Sequence, residues 1–146
     1  MNISCSDAQH LIELCEQHGA QYGKALTIAV VDSGGFLVAL KREDGARPLT
    51  PNIATAKAYT AAVMGRPGNL LKGWAEQEPA FFGQIQRMGM HPIVPADGAI
   101  TIKRDGEVIG GIGVSGGRPE EDHAICEQAL IEAGFELEFD AWGQKR

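Results

Sequence analysis

No stretch of this 146-residue sequence approaches the roughly 18 consecutive apolar residues of a helical membrane span. The N-terminus, Met1-Asn2-Ile3-Ser4-Cys5, lacks the charged segment and apolar block of a secretory leader. Cysteine is scarce. Cys5, Cys15 and Cys126 are an odd set with no C-x-x-C spacing, which excludes a disulfide framework and reads as free thiols in a reducing compartment, hence a cytoplasmic protein. Basic runs are absent too. The 13 Lys and Arg are scattered through a chain of net charge −6, which argues against nucleic acid, because phosphate binding needs a clustered basic surface. The four histidines show no H-x-x-x-H pair, and no His/Cys/acid cluster matches a zinc site. No G-x-S-x-G elbow, no G-x-G-x-x-G after the first strand and no P-loop lysine appear, so serine-hydrolase, Rossmann and P-loop chemistries fall away.

Glycine is what the chain has in quantity, with 19 residues, and it punctuates two strand-like segments. The first is Val30-Val31-Asp32-Ser33-Gly34-Gly35-Phe36-Leu37-Val38-Ala39. The second runs from Asp105-Gly106 to Ser115-Gly116-Gly117. Apolar residues at 25–31 and 36–42 predict a hairpin closed at Ser33-Gly34-Gly35. Residues 99–103 and 107–114 predict a second hairpin, closed by Asp105-Gly106. Glycines 110, 111 and 113 weaken a strand unless something packs against them. Ser6 followed by Gln9 predicts a capped helix ending near Gly19. Thr50-Pro51 opens an alanine-rich helix to Met64, and a shorter helix covers 69–77. Residues 78–98 are the least regular part. Pro119 opens a last helix with Glu120, Glu121 and Asp122 in its first turn, where acids complement the helix dipole, and Gly134 closes it. Two hairpins with helices between them define an α+β domain with a mainly antiparallel sheet, and 146 residues suit one domain, 1–146.

Four elements together carry a family resemblance: Val30-Val31-Asp32-x-Gly34-Gly35-x-Leu37-Val38, Arg42-Glu43-Asp44-Gly45-Ala46, Lys57-Ala58-x-Thr60-Ala61, and Ile109-Gly110-Gly111-Ile112-Gly113-Val114-Ser115-Gly116-Gly117-x-Pro119-Glu120-x-Asp122. The set resembles the GlcG/HbpS family, described as haem-binding or haem-degrading, and is similar to the C-terminal part of PduO-type proteins. The resemblance covers about residues 4–133 and leaves a C-terminal tail, 135–146. It implies a profilin-like, three-layer α/β/α fold with a five-stranded antiparallel sheet, homo-oligomers, a place in catabolism, and haem or another small ligand.

Several residues carry candidate chemistry beside a plainer structural reading. Lys57, alone on an alanine face, is either a snorkelling lysine paired with a carboxylate or a desolvated base and anion clamp. Asp32 is a turn carboxylate or a ligand-orienting one. Arg42 and Asp44 form a surface pair or an anion-recognition element. His91, in Gly89-Met90-His91-Pro92, is a plain loop histidine, a general base or a haem axial ligand. Phe81 and Phe82 line a pocket or anchor their segment. His10, His18 and His123 read as surface residues.

Two functions follow. One is a binding module holding haem or another small ligand, with His91 the candidate axial ligand and no separate metal site. The other is a small enzyme doing acid–base chemistry on a carboxylated metabolite, with Lys57 and His91 as the titrating pair and Arg42 as clamp. Both place Asp32, Arg42, Asp44, Lys57, Phe81, Phe82 and His91 around one pocket formed by Lys57 and the 78–98 segment. The alternating Phe135, Leu137 and Phe139, with Trp142, form an apolar stripe expected to be covered by a second copy of the chain.

Overall fold

The structure is a computed structural model, and its description covers residues 1–139. The sheet has four strands: β1 (Thr27–Asp32), β2 (Leu37–Arg42), β3 (Ala99–Arg104) and β4 (Glu107–Ser115). They run antiparallel in the order β2-β1-β4-β3, so the two hairpins meet along β1 and β4. Five helices accompany them: α1 (Cys5–Gly19), α2 (Thr50–Met64), α3 (Gly68–Gln77), α4 (Pro79–Ile85) and α5 (Pro119–Ala133).

Strand alternation sorts the side chains into two layers. Ile28, Val30, Ile112 and Val114 point to one face, where Leu11, Ile12 and Cys15 of α1 and Ile125, Cys126 and Leu130 of α5 complete the main core. Ala29 and Val31 point to the other face and meet Ala54, Ala58 and Ala62 of α2. The glycines of β4 belong to this second layer. A side chain at Gly113 would collide with the carbonyl oxygen of Ala54, and one at Gly111 with that of Ala58. The helix backbone lies directly on the strand, and only glycine permits that approach. Gly111-x-Gly113-x-x-Gly116 has the spacing of a dinucleotide fingerprint, but its first two glycines lie inside a strand under a helix and cradle no phosphate.

Local signals set the boundaries. Asp105 and Gly106 both have positive φ, 53° and 77°, as a tight two-residue hairpin requires. The α1 cap sits two residues earlier than the Ser6–Gln9 pattern predicts: Ser4 is the cap, its Oγ accepting from the Asp7 N–H at 3.0 Å. Thr50 is the first residue of α2 and not its cap; its hydroxyl is shared with the Arg47 carbonyl and with Thr27 on β1, each at 2.7 Å. The irregular 78–98 segment contains α4. Phe82, Leu71, Ile93 and Tyr59 form a small third core beneath it.

The expected fifth strand is not formed, which corrects the profilin-like five-stranded sheet. Glu136 makes one isolated bridge to Lys103 at the β3 edge, its N–H donating to the Lys103 carbonyl at 3.3 Å, and the ladder goes no further among the described residues. Side-chain burial holds the tail instead. Phe135 is in the main core, Leu137 and Phe139 pack against it, and the Arg104 guanidinium stacks on the Phe135 ring at 4.9 Å. The described part of the apolar stripe is thus covered by its own chain, which removes the reason to expect a second copy over it. Trp142 lies outside the described residues. No helix is long and apolar enough to cross a membrane among the described residues.

Candidate functional site

Where β1 begins and β4 ends, the fold leaves a cavity of about 800 Å³. The loops around Lys24, Ala46 and Asp97, the Ser115–Arg118 turn and the first turns of α2 and α5 enclose it. At its floor lies Lys57, two turns into α2 and 7% exposed. Its ammonium donates to the Val114 carbonyl at 2.9 Å and pairs with Asp122 of α5 at 3.5 Å. The close α2–β4 packing is what carries the lysine under the strand end. Gly98, with φ of 89°, closes over the pair: a side chain there would come within 2.6 Å of the Asp122 Cβ.

Asp122 is almost fully enclosed, 3% exposed, and accepts the Gly117 N–H at 2.9 Å. Burial pushes its carboxyl above the ordinary value, while the Lys57 ammonium and the Gly117 N–H pull the other way. Lys24 is bonded to Glu121, and that bond together with the Arg118 N–H holds the Glu121 carboxyl below its ordinary value. Lys72 pairs with Asp97 at 3.6 Å. Arg47 and Arg118 also line the cavity, and neither makes an ion pair among the described residues. Five cationic side chains therefore face two carboxylates, Asp97 and Asp122.

A second, more apolar cleft of about 700 Å³ adjoins this one. Leu49 and Ile53 are the wall between them, lining both. Leu40, Ala56, Val94 and His91 complete much of the second cleft. The His91 imidazole stands edge-on to the Tyr59 ring, with centroids 5.2 Å apart. The Tyr59 hydroxyl accepts the neighbouring Met90 N–H at 2.9 Å and so fixes the loop.

The residues expected around one pocket are dispersed. Lys57 does face a cavity, and 78–98 contributes Pro95, Ala96 and Asp97 to its wall. His91, however, lines the neighbouring cleft, together with Pro92 and Val94 and the α2 residues Pro51, Thr55 and Ala56. The Lys57–His91 pair required for acid–base chemistry is therefore divided between two chambers. Arg42 ends an edge strand and Asp44 sits on a loop, both exposed; Gly45 and Ala46 line the cavity in their place. Asp32 lies at the far end of β1, about 17 Å along the strand from Thr27. It caps the hairpin turn, accepting from Gly34 and Phe36, each at 3.0 Å. Phe82 is core. Phe81 stacks with Phe82 and Trp74, an anchor for α4 and no wall of either chamber.

Sequence reasoning missed Lys24, Arg47, Lys72, Asp97 and Arg118, which are solitary charges on five separate segments. Asp122 was legible in the Ser115-Gly116-Gly117-x-Pro119-Glu120-x-Asp122 element, but its position in a helix first turn gave it a dipole role. Of the remaining histidines His10 is exposed as expected, but His18 and His123 are half-buried, His18 lying 3.7 Å from Glu132 and His123 3.3 Å from Glu127. Among the described residues no group of three or more His, Cys, Asp or Glu is placed to hold a metal ion.

An antiparallel α+β domain with paired chambers at one end of its sheet is the class that this geometry defines. The chain belongs to the HbpS-like family, described as haem-degrading proteins, whose family model matches residues 3–131. It is 30% identical to protein GlcG of Escherichia coli K12 over 113 residues, covering 77% of this chain and 81% of GlcG. It is 28% identical to an uncharacterised 15.0 kDa protein from the dhaT-dhaS intergenic region of Citrobacter freundii, covering 88% of this chain and 89% of that one. The corrinoid adenosyltransferase PduO of Citrobacter freundii is 26% identical over 89% of this chain, which spans only 38% of PduO. Among solved structures, the complex of PduOC with haem superposes with a TM-score of 0.84 at 25% identity, over 93% of this chain and 98% of that one.

Proposed function

We propose that this protein is a haem-binding protein, with the apolar cleft beside α2 as the haem site and His91 as the axial ligand. One observation carries the reading: His91 lines a cleft of about 700 Å³ whose other walls are largely aliphatic. That volume is in the range of cofactor pockets. A neutral imidazole is a standard proximal ligand for haem iron. The other chamber fits haem less well, since no His, Met, Cys or Tyr lines it. Membership of the HbpS-like family and the likeness to the PduOC–haem complex support the same ligand.

In this reading Leu40, Leu49, Ile53 and Val94 exclude water from the porphyrin face, and the Tyr59 ring sets the orientation of His91. Bound haem supplies electron-transfer or dioxygen chemistry at iron, which the protein tunes by ligand identity and burial. A cytoplasmic location and a role beside a catabolic pathway complete the proposal. Self-association belongs to it as well, and is supported by Phe36 and Leu37, 60% and 53% exposed at the sheet edge.

The test is titration of the purified protein with hemin, followed by absorption spectroscopy. Wild type should give a saturable Soret band. His91→Ala should weaken binding at least about ten-fold, on the order of 1.4 kcal/mol, and change the band position. His123→Ala should do neither. Unaltered binding and spectrum in His91→Ala would refute the assignment. Light scattering of the same samples measures the assembly state.

A further inference from the structure

We propose that the chamber around Lys57 is a second ligand site, separate from the haem cleft, for a small organic anion carrying at least two carboxylate or phosphate groups. The first ground is charge. The chain carries −6 overall, yet five of its 13 basic side chains converge on this one cavity. Three of them have partners: Lys24 with Glu121, Lys57 with Asp122 and Lys72 with Asp97. Arg47 and Arg118 make no ion pair among the described residues and reach the cavity from separate segments, one on the loop before α2 and one on the loop before α5. Two guanidinium forks offer bidentate recognition to two separate oxyanion groups.

The second ground is the floor. Lys57 is enclosed to better than nine-tenths, and it faces the space instead of the protein interior alone. Its ammonium has three protons, and the Val114 carbonyl and Asp122 use two. The first turns of α2 and α5 both open on the same cavity; that of α2 carries no acidic residue, so the partial positive charge of its N-terminus adds to the field there. A third ground is size and lining. About 800 Å³ is too large for an inorganic ion, and Ala25, Ala46, Leu49 and Ile53 provide apolar surface for a carbon skeleton. A metabolite with charged ends and an apolar middle matches that arrangement.

The experiment is isothermal titration of the full chain at low ionic strength with three probes: succinate, citrate and fructose 1,6-bisphosphate. At least one should bind with Kd below about 1 mM. Preference for the first two identifies a carboxylate site, and preference for the third a phosphate site. Arg47→Gln/Arg118→Gln alters exposed positions only and should weaken that probe at least about ten-fold, a change of roughly 1.4 kcal/mol, with thermal unfolding unmoved. Should the double variant fail to fold, the two single variants serve in its place. Haem binding should persist in the Arg variants and probe binding in His91→Ala, so the two sites stand or fall separately. The proposal is overturned if no probe binds below about 1 mM, if the Arg variants bind as tightly as wild type, or if hemin displaces the probe.

Discussion

Lys57→Met tests whether the two elements that build the cationic chamber are joined by a buried ion pair. Lys57 and Asp122 have side chains only 9% and 4% exposed, so neither can turn to water when the other is lost. Removing one partner of such a pair costs about 3–5 kcal/mol, because a buried charge is left uncompensated. The lower end applies here: the pair is 3.5 Å apart, at the long limit of hydrogen bonding, and Asp122 keeps the Gly117 N–H. The loss should therefore be about 3 kcal/mol near neutral pH. Its pH dependence has a definite sign. The folded Asp122 pKa already lies above the ordinary value, so the folded state holds the proton more tightly than the unfolded one. Stability from this group is present below the ordinary carboxylate pKa and declines as pH rises through the folded one. Without Lys57 the folded pKa rises further, so the decline is larger and continues to higher pH. Urea unfolding followed by circular dichroism should show a larger penalty at neutral pH than below the ordinary carboxylate pKa, where Asp122 is protonated with or without Lys57. Lys57→Met/Asp122→Asn, which keeps an acceptor for Gly117, should recover most of the loss. A penalty equal at both pH values, or no recovery in the double variant, would refute the buried-pair argument.

Other expectations are simpler. Gly113→Ala forces a methyl group into the Ala54 carbonyl and the Ala58 N–H group, so the cost should approach about 3 kcal/mol, the upper end for overpacking, read as a lower urea midpoint at unchanged slope. Cys5 is exposed while Cys15 and Cys126 are enclosed, and burial pushes both of those thiols well above their ordinary pKa. Iodoacetamide should therefore label the native chain once, at Cys5, and label all three thiols in denaturant; rapid native labelling of Cys126 would contradict the packing of α5.

How much of this could be read in the residues depends on how local the cause is. Both hairpins follow from glycine-bearing turns and β-rich runs a few residues long, and α2 and α5 follow from proline at their starts and glycine after their ends. The missing fifth strand is a different kind of question. Phe135, Leu137 and Phe139 alternate as a strand would, but the competing outcome, burial against the main core with one bridge at Lys103, depends on where the β3 edge and α5 leave space. Lys57 was legible because a lone charge among alanines is anomalous. Its partner was not, since Asp122 is 65 residues away and looks like an ordinary first-turn acid. His91 and Lys57 looked like neighbours because both belong near the 78–98 segment, yet that segment passes two sides of α2: its Pro92–Val94 stretch walls one chamber and its Pro95–Asp97 stretch the other.

The glycines of β4 tie the fold to both chambers. Had residues 111 and 113 carried side chains, α2 would have to stand away from the sheet by the thickness of a side-chain layer. Lys57 Nζ would then lose the Val114 carbonyl, and Asp122 would lose its counter-charge. Leu49 and Ile53, at the same end of α2, would lose their place as the wall between the cationic cavity and the apolar cleft. One packing choice thus sets the floor of one chamber and the partition between the two. The glycine run that marks the sequence of β4 is, in three dimensions, the seat of the helix on which both candidate ligand sites depend.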